Sequence, residues 1–253
     1  MSISRRQIFA AAAIPGVALA ARKTQERHVQ GIRLVALDIG GTLIEDRADI
    51  PKLLEEALSR HGVGSTPAEI AKWRGASKRE IVRHFVTQQS FSTNVDREAL
   101  TTQIYEEFTA KLIAVYQSVP PIRGAEDCIR QLRQNGYLVA TTTGFDRAVT
   151  ASIFRRLGWE HYFAAMVSSD EVSEGRPAPY MLFHAMESAR VSRVSEVMTV
   201  GDTPLDLQAG ANAGLRWIVG VLSGAGTAAA LQKEPHSHIL NSVADLPGLL
   251  PKV

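Results

Sequence analysis

An aspartate followed by two glycines ends a strongly apolar stretch near the start of the chain. Residues 32–37 read Ile-Arg-Leu-Val-Ala-Leu, and Asp38 follows them, with Gly40, Gly41 and Thr42 close behind. The apolar run predicts a buried strand, and the glycines let the backbone turn sharply and approach a ligand closely. Asp38 is therefore placed as a nucleophile would be, with the Thr42 hydroxyl beside it. By itself, the string Asp-x-Gly-Gly-Thr is also typical of an ordinary turn.

Three more apolar segments repeat this pattern of a strand that ends in polar residues. They are residues 137–142 before Thr143 and Gly144, residues 164–167 before Ser168 to Asp170, and residues 197–200 before Gly201 to Asp206. Amphipathic stretches of helical period lie at 125–135, 148–157, 179–189 and 205–213. Strands that alternate with helices of this length predict a parallel sheet covered on both faces. The polar residues after the strands are then expected to gather at one edge, where such sheets bind ligands. These residues are Asp38, Thr143, Asp202 and Asp206.

In order and chemistry, these segments resemble the four motifs of the haloacid dehalogenase superfamily. Asp38 to Thr42 match the first motif, Thr143 the second, residues 174–179 the third and residues 201–206 the fourth. The resemblance implies an α/β fold, a Rossmannoid parallel sheet with an inserted all-helical cap domain. One position departs from the pattern. The second aspartate of the first motif, which serves the family as general acid and base, is Gly40 here.

The resemblance also implies the roles of the residues that handle a phosphoryl group. Catalysis on such a group is mainly positioning and electrostatic stabilisation. Asp38 attacks phosphorus in this scheme, and Arg176 clamps the phosphoryl oxygens. The other residues expected to bind substrate are Thr42, Thr143 and Gly144.

A metal site follows from the same resemblance. Asp38, Asp202 and the carbonyl of Gly40 would form, with water, the all-oxygen ligand set that Mg²⁺ prefers. Asp206 is expected beside this set, where it orients the ligands without binding the ion. The alternative for Asp202 and Asp206 is a helix N-cap and an acid in the first helical turn.

Two substitutions are similar to those of the phosphonatase-like branch of the superfamily. The third motif usually carries a lysine, but here it supplies Arg176, whose planar fork suits a bidentate grip on a phosphonate. Phosphonatases also have a small residue where this chain has Gly40. They use a cap lysine to form a Schiff base with an aldehyde substrate, and Lys78 stands three residues after Gly75 as that lysine does. The resemblance implies cleavage of the carbon–phosphorus bond of a 2-oxoalkylphosphonate, a small organophosphorus substrate like phosphonoacetaldehyde.

There is a physical reason for these substitutions to occur together. A phosphate ester expels an alkoxide, which needs a proton from an acid that Gly40 cannot supply. Cleavage of a carbon–phosphorus bond expels a carbanion instead, and a protonated imine on Lys78 would accept that electron pair as an enamine. For this chemistry the pKa of the lysine must fall from about 10.4 toward about 7, which requires burial or neighbouring cations.

The alternative for Lys78 is a solvated lysine on a cap helix, paired with Glu80 or mobile. Two features of the branch are absent: a histidine is replaced by Ile81, and a methionine is replaced by Arg74. Arg74 is accordingly expected to help bind a bulkier or more anionic substrate.

The segment between the first strand and the rest of the sheet is helical in pattern. We expect helices at 50–61, 67–86 and 95–116, the last opened by Asp96. This gives a hydrolase core at 31–48 and 119–253 and a helical cap at 49–118, which would exclude water and carry specificity residues. A homodimer, if one forms, is expected to use the cap.

Three functions stay open at this stage. The first is a magnesium-dependent phosphonatase-like hydrolase, the second is a phosphatase of the same superfamily acting on small phosphate monoesters, and the third is a non-catalytic phosphate-binding protein of this fold. A Lys78 side chain that points into the cleft favours the first.

The amino terminus resembles a twin-arginine export signal. Arg5 and Arg6 precede an alanine-rich apolar run that ends at Ala18-Leu19-Ala20, a small-x-small cleavage pattern. This interpretation assigns residues 1–22 to a signal peptide and the enzyme to the periplasm or the exterior, and the alternative is a cytoplasmic enzyme. The apolar run is too short for a stable membrane span.

Composition favours a small-molecule enzyme over a nucleic-acid-binding protein. The formal charge of the 253 residues is +2, and cleavage after Ala20 would bring it to 0 because only Arg5 and Arg6 are lost. No aromatic residues are interleaved with a basic stripe as nucleic-acid binding requires. Cys128 is the only cysteine, so an intramolecular disulfide is excluded.

We predict that a reporter protein fused behind Met1 to Lys23 leaves the cytoplasm. Replacing Arg5 and Arg6 together by lysine should retain it, because twin-arginine recognition distinguishes guanidinium from ammonium. Cell fractionation measures the outcome. A reporter that stays inside with both arginines intact would show that the amino terminus has been misinterpreted.

Overall fold

Six parallel strands form one sheet in the computed structural model, which describes residues 31–92 and 94–251. The order across the sheet is β3-β2-β1-β4-β5-β6. The strands are β1 Leu34–Leu37, β2 Leu138–Thr143, β3 Ala165–Ser168, β4 Val197–Gly201, β5 Trp217–Val221 and β6 His238–Leu240. Every neighbouring pair is parallel, as the alternation of strands and helices predicts.

Helices surround the sheet and also form a separate layer after β1. The α-helices of the described residues are α1 Asp49–Arg60, α2 Pro67–Ala71, α3 Lys78–Gln88, α4 Arg97–Tyr116, α5 Ala125–Gln134, α6 Arg147–Leu157, α7 Tyr180–Ser188, α8 Pro204–Asn212 and α9 Ala228–Leu231. Short 3₁₀ turns lie at Glu160–Tyr162, Ser169–Glu171, Val194–Glu196 and Val243–Leu249. In this part of the chain, no helix is both long enough and apolar enough to cross a bilayer.

Both faces of the sheet are buried, and β1 shows why. Leu34 and Ala36 lie in a hydrophobic cluster with residues of α7 and α8. Val35 and Leu37, which point to the opposite face because strand side chains alternate, are also fully buried. Helices therefore cover the sheet on both sides, as in α/β folds.

The strand register brings the polar residues after the strands to one edge. Leu37, the last residue of β1, is level with Thr141 of β2 and Val200 of β4. The next backbone N–H, that of Asp38, donates to the carbonyl of Val200 at 2.8 Å. Asp38 thus lies at the centre of the sheet, between the ends of its two neighbouring strands.

The predicted helix at 67–86 is wrong as a single element, because it divides into α2 and α3. Residues 72–77 form the connection, in which Gly75 has φ 89°, a left-handed conformation that cannot lie within a right-handed helix. A side chain at this glycine would also place its Cβ 2.4 Å from Thr203 Oγ1 of the core. Contact with the core therefore fixes the break.

Helix α4 begins as predicted. The Asp96 side chain accepts hydrogen bonds from the backbone N–H groups of Glu98 and Ala99 at 3.1 and 3.0 Å. This capping satisfies amide groups that have no partner inside the helix.

One buried hydrogen bond joins α4 to the sheet layer. The Tyr105 hydroxyl donates to Asp146 Oδ2 at 2.9 Å. Asp146 Oδ1 accepts from the N–H of Val149 at 2.9 Å and so caps α6.

The division into a core at 31–48 and 119–253 and a cap at 49–118 stays a prediction, and residues 49–118 are called the cap below. The proposed signal at 1–22 lies outside the described residues.

Candidate active site

Asp38 is buried at the carboxyl edge of the sheet, and its closest charged partner is Arg176. Nη1 of Arg176 lies 2.7 Å from Asp38 Oδ1, and both side chains are less than a tenth exposed. Burial raises the pKa of Asp38 to about 6, although Arg176 acts to lower it. The expected nucleophile is therefore ionised at neutral pH largely because a guanidinium faces it.

Arg176 uses its fork to tie together residues from three strand ends. Nη1 also lies 2.6 Å from Asp206 Oδ1, and Nη2 donates to the carbonyl and the hydroxyl of Thr142 at 2.6 and 2.9 Å. Although burial acts to lower it, the pKa of Arg176 lies above its ordinary value because Asp206 and Asp38 face it. In this structure Arg176 positions the carboxylates, and its bidentate grip on a phosphonate stays a prediction.

Three carboxylates meet at this point and could hold a metal ion. Oxygens of Asp38, Asp202 and Asp206 all lie within 4.8 Å of one another, and all three residues are buried. Burial and the nearby carboxylates of Asp38 and Asp206 raise the pKa of Asp202 well above its usual range. The cluster is thus short of positive charge, and its oxygen donors are those that hard divalent cations prefer.

Asp206 is held in a way that fits the role expected for it. Its Oδ2 accepts from the N–H and the hydroxyl of Thr203 at 2.9 and 2.5 Å, and its Oδ1 faces Arg176. Thr203, not Asp202, is the N-cap of α8. Asp206 is thus also an acid of the first helical turn, as the alternative proposed, while Asp202 stays free of that structural role.

A loop that sequence analysis did not identify supports Asp202. The N–H of Ala225 donates to Asp202 Oδ2 at 2.6 Å. A Cβ at Gly224 would lie 2.1 Å from the same oxygen, and one at Gly41 would lie 2.5 Å from it. Only glycines allow this approach. The signal in the sequence was Gly-Ala-Gly after the apolar run Trp-Ile-Val-Gly-Val, which is β5.

All but one of the remaining candidates for substrate binding border the same space. Thr143 and Gly144 line the cavity above Asp38, together with Gly40 and Arg74. Thr42 is fully buried, and its hydroxyl has no hydrogen-bond partner among the described residues. Thr42 is not among the residues that line this cavity, so the structure does not bring it together with the other candidates.

Lys78 points into this cavity and is buried. It is 7% exposed, and its Nζ donates to the carbonyl of Ala76 at 2.9 Å. Nζ also lies 5.1 Å from the centre of the Phe145 ring. Burial lowers the pKa of Lys78 to about 8, although Asp38 acts to raise it. The alternative of a solvated lysine paired with Glu80 does not hold, because Lys78 is buried and Glu80 Oε1 accepts from the N–H of Gly175 at 2.8 Å.

Arg74 borders the cavity with a partner of its own. Its Nη1 lies 3.4 Å from Asp46 Oδ2, and Asp46 lines the cavity as well. The structure thus places Arg74 near the other candidates, already partly neutralised. Its role in binding an anionic substrate stays a prediction.

Gly40 and Gly41 differ in backbone conformation and in the space that a side chain would have. Gly41 has φ 80°, whereas Gly40 has an ordinary φ, and a Cβ there would meet only the Phe145 ring, at 3.4 Å. The space therefore admits a Cβ at position 40, and the backbone there does not require glycine.

Comparison with known proteins places this geometry in a family. The model of the haloacid dehalogenase-like hydrolase family matches residues 35–220. The phosphonoacetaldehyde hydrolase of Bacillus cereus is 29% identical over 213 residues, which cover 80% of this chain and 80% of that protein.

Solved structures share the fold. A phosphonoacetaldehyde hydrolase-like protein from Oleispira antarctica superposes with a TM-score of 0.72 at 21% identity, over 86% of this chain and 91% of that one. A predicted phosphoglycolate phosphatase from Haemophilus somnus gives a TM-score of 0.71 at 18% identity, over 87% and 98% of the two chains. Since the family model spans most of the chain, from the strand before Asp38 to β5, this protein belongs to the haloacid dehalogenase-like hydrolases.

Proposed function

We propose that this hydrolase is magnesium-dependent and cleaves the carbon–phosphorus bond of a small 2-oxoalkylphosphonate similar to phosphonoacetaldehyde. The observation that carries the proposal is the buried Lys78, whose amine borders the same cavity as Asp38 while position 40 offers no acid. The similarity to phosphonoacetaldehyde hydrolase of Bacillus cereus supports it.

Charge balance supports a divalent cation in this site. When all are ionised, the carboxylates of Asp38, Asp202 and Asp206 outnumber Arg176 and Lys78 by one negative charge. A bound Mg²⁺, held by Asp38, Asp202 and the Gly40 carbonyl, would offset the carboxylates and polarise the phosphonyl group. Arg176 and Lys78 would then leave the cavity positive enough to accept a phosphonate anion.

Lys78 and Asp38 would divide the bond cleavage between them. The neutral amine of Lys78 attacks the substrate carbonyl, and loss of water with uptake of one proton from solvent gives a protonated imine. Asp38 then attacks phosphorus, the carbon–phosphorus bond breaks, and its electron pair moves into the imine to give an enamine. Water next attacks the aspartyl-phosphate to release phosphate. Protonation and hydrolysis of the enamine release the carbonyl product and restore the amine.

The pKa of Lys78 makes the first step feasible near neutral pH. With a pKa of about 8, about one amine in ten is neutral at pH 7, against fewer than about one in a thousand for an ordinary lysine with pKa about 10.4. A cation that offsets Asp38 and Asp202 removes attractions that raise this pKa, and so lowers it further.

A phosphatase for small phosphate monoesters is the second candidate function. The fold it shares with a predicted phosphoglycolate phosphatase supports it, and the Asp38 cluster would serve either reaction. A non-catalytic phosphate-binding protein is the third candidate function. Export directed by the amino terminus is a further proposal, and so is a homodimer that forms through the cap. Trapping of Lys78 separates the first function from the others.

We predict that activity requires magnesium and is lost in Asp38→Asn and in Asp202→Ala. The amide is a poor nucleophile and a poor ligand, and the alanine empties the metal site. Phosphate release with and without chelator measures the effect, and Asp127→Asn, a change at an exposed acid of α5, is the control. Undiminished turnover in either active-site variant, or in excess chelator, would rule out the mechanism.

We predict that borohydride, added with 2-oxopropylphosphonate, inactivates the protein and labels Lys78. Without magnesium, labelling should rise with pH through a midpoint near 8, because only the neutral amine forms the imine. Lys78→Arg keeps the charge but should be neither labelled nor active, whereas Lys52→Arg, an exposed cap position, should behave as the wild type. Peptide mass spectrometry locates the label. A wild type that hydrolyses esters well, with no trapping, would favour the phosphatase.

We predict that Gly40→Asp raises hydrolysis of phosphate esters on the order of 10²-fold or more, because it restores a proton donor for an alkoxide. The cavity admits a Cβ at this position. Gly40→Asn has nearly the same shape without the acid and should give no such gain. Steady-state rates on a panel of esters test the prediction, and equal gains in both variants would contradict it. Cleavage of the phosphonate should not improve.

A further inference from the structure

The first turn of α3 spans two core loops that border the active site. The backbone N–H of Lys78 donates to the carbonyl of Gly144 at 3.4 Å. Two residues later, Glu80 Oε1 accepts from the N–H of Gly175 at 2.8 Å. One helical turn therefore contacts the loop after β2 and the loop that carries Arg176.

The contact at Gly175 is close as well as polar. A Cβ on Gly175 would lie 3.1 Å from Ser77 Cβ and 3.2 Å from Glu80 Oε2. Gly175 is buried, and it immediately precedes Arg176. Without the Glu80 carboxylate, a backbone donor beside Arg176 would lose its partner, which is costly for a buried group.

The cations near Glu80 have other partners, so its carboxylate is available to accept from Gly175. Two nearby arginines of α3, Arg79 and Arg83, pair instead with Glu98 of α4, at 3.0 and 3.2 Å. Lys78 donates to Ala76. On the core side, Asn212 Nδ2 donates to the carbonyl of Pro177 at 2.8 Å, so the Arg176 loop is held from both the core and the cap.

We infer that Glu80 is a positioning residue that couples the cap to Arg176. By fixing Gly175, it sets the depth at which Arg176 meets Asp38, Asp206 and Thr142. It thereby makes the phosphoryl site complete only when α3, and with it Lys78, lies over the sheet. The inference rests on the proposed role of Arg176 in the phosphoryl site, and it holds for phosphonate and ester chemistry alike.

The test measures binding of inorganic phosphate, with magnesium, by calorimetry on the full chain. Glu80→Ala should weaken binding about tenfold, the effect of losing a hydrogen bond to a charged group. Glu80→Gln should stay within about threefold of the wild type, because its amide oxygen still accepts from Gly175. Glu106→Ala removes an exposed carboxylate of α4 and should change nothing. Thermal unfolding checks that each variant is folded.

A double-mutant cycle identifies the route of the effect. Arg176→Lys keeps the charge but cannot hold three partners, so it should weaken phosphate binding by itself. In that background Glu80→Ala should cost less than about twofold more, because coupled residues are not additive. Hydrogen exchange at the Gly175 amide, which requires no ligand, should lose protection in Glu80→Ala and keep it in Glu106→Ala.

The outcomes separate this inference from the proposed function. Unchanged phosphate affinity in Arg176→Lys would contradict the role given to Arg176. A loss in Arg176→Lys with none in Glu80→Ala, or a Glu80→Ala loss that is undiminished in the double variant, would overturn the role of Glu80 alone.

Discussion

The ion pair between Arg176 and the carboxylates at the end of β1 is the interaction on which the site depends. Asp38, Asp202 and Asp206 are buried within a few ångströms of one another, and their mutual repulsion would protonate or displace them if nothing opposed it. Arg176, equally buried, meets two of them directly. The sheet can therefore hold three carboxylates together only because a loop after β3 places a guanidinium among them, and their oxygens are donors of the kind that hard divalent cations prefer.

Close backbone approach is the second constraint, and it links the cap to the sheet. A Cβ on Gly144 would lie 2.5 Å from the carbonyl of Ala76, so the connection between α2 and α3 rests directly on the loop after β2. In the same connection, a Cβ on Gly75 would lie 2.4 Å from Thr203 Oγ1. Lys78 is buried by this arrangement, which is also why its pKa falls. The basicity of the lysine is thus a property of the fit between two parts of the chain, and not of the residues next to it in sequence.

Sequence alone located most of the site because its chemistry is carried by residues at strand ends. Asp38, Thr143, Asp202 and Asp206 follow apolar runs whose parallel pairing brings them together, so pattern and residue type were enough. Contacts between distant segments were not predictable in this way. The break between α2 and α3 depends on Thr203, and the support of Asp202 depends on Ala225, 23 residues further along the chain. Strands β5 and β6 were also missed, and β6 has only three residues, too few for a periodic signal.

The two glycines after Asp38 differ in how strictly the structure requires glycine at their positions. Gly41 is fixed by shape, since any side chain would strike Asp202 in a left-handed backbone, whereas Gly40 has an ordinary backbone and room for a Cβ. Related proteins can therefore differ at position 40 while keeping the backbone of this loop, whereas position 41 must stay glycine for Asp202 to keep its place.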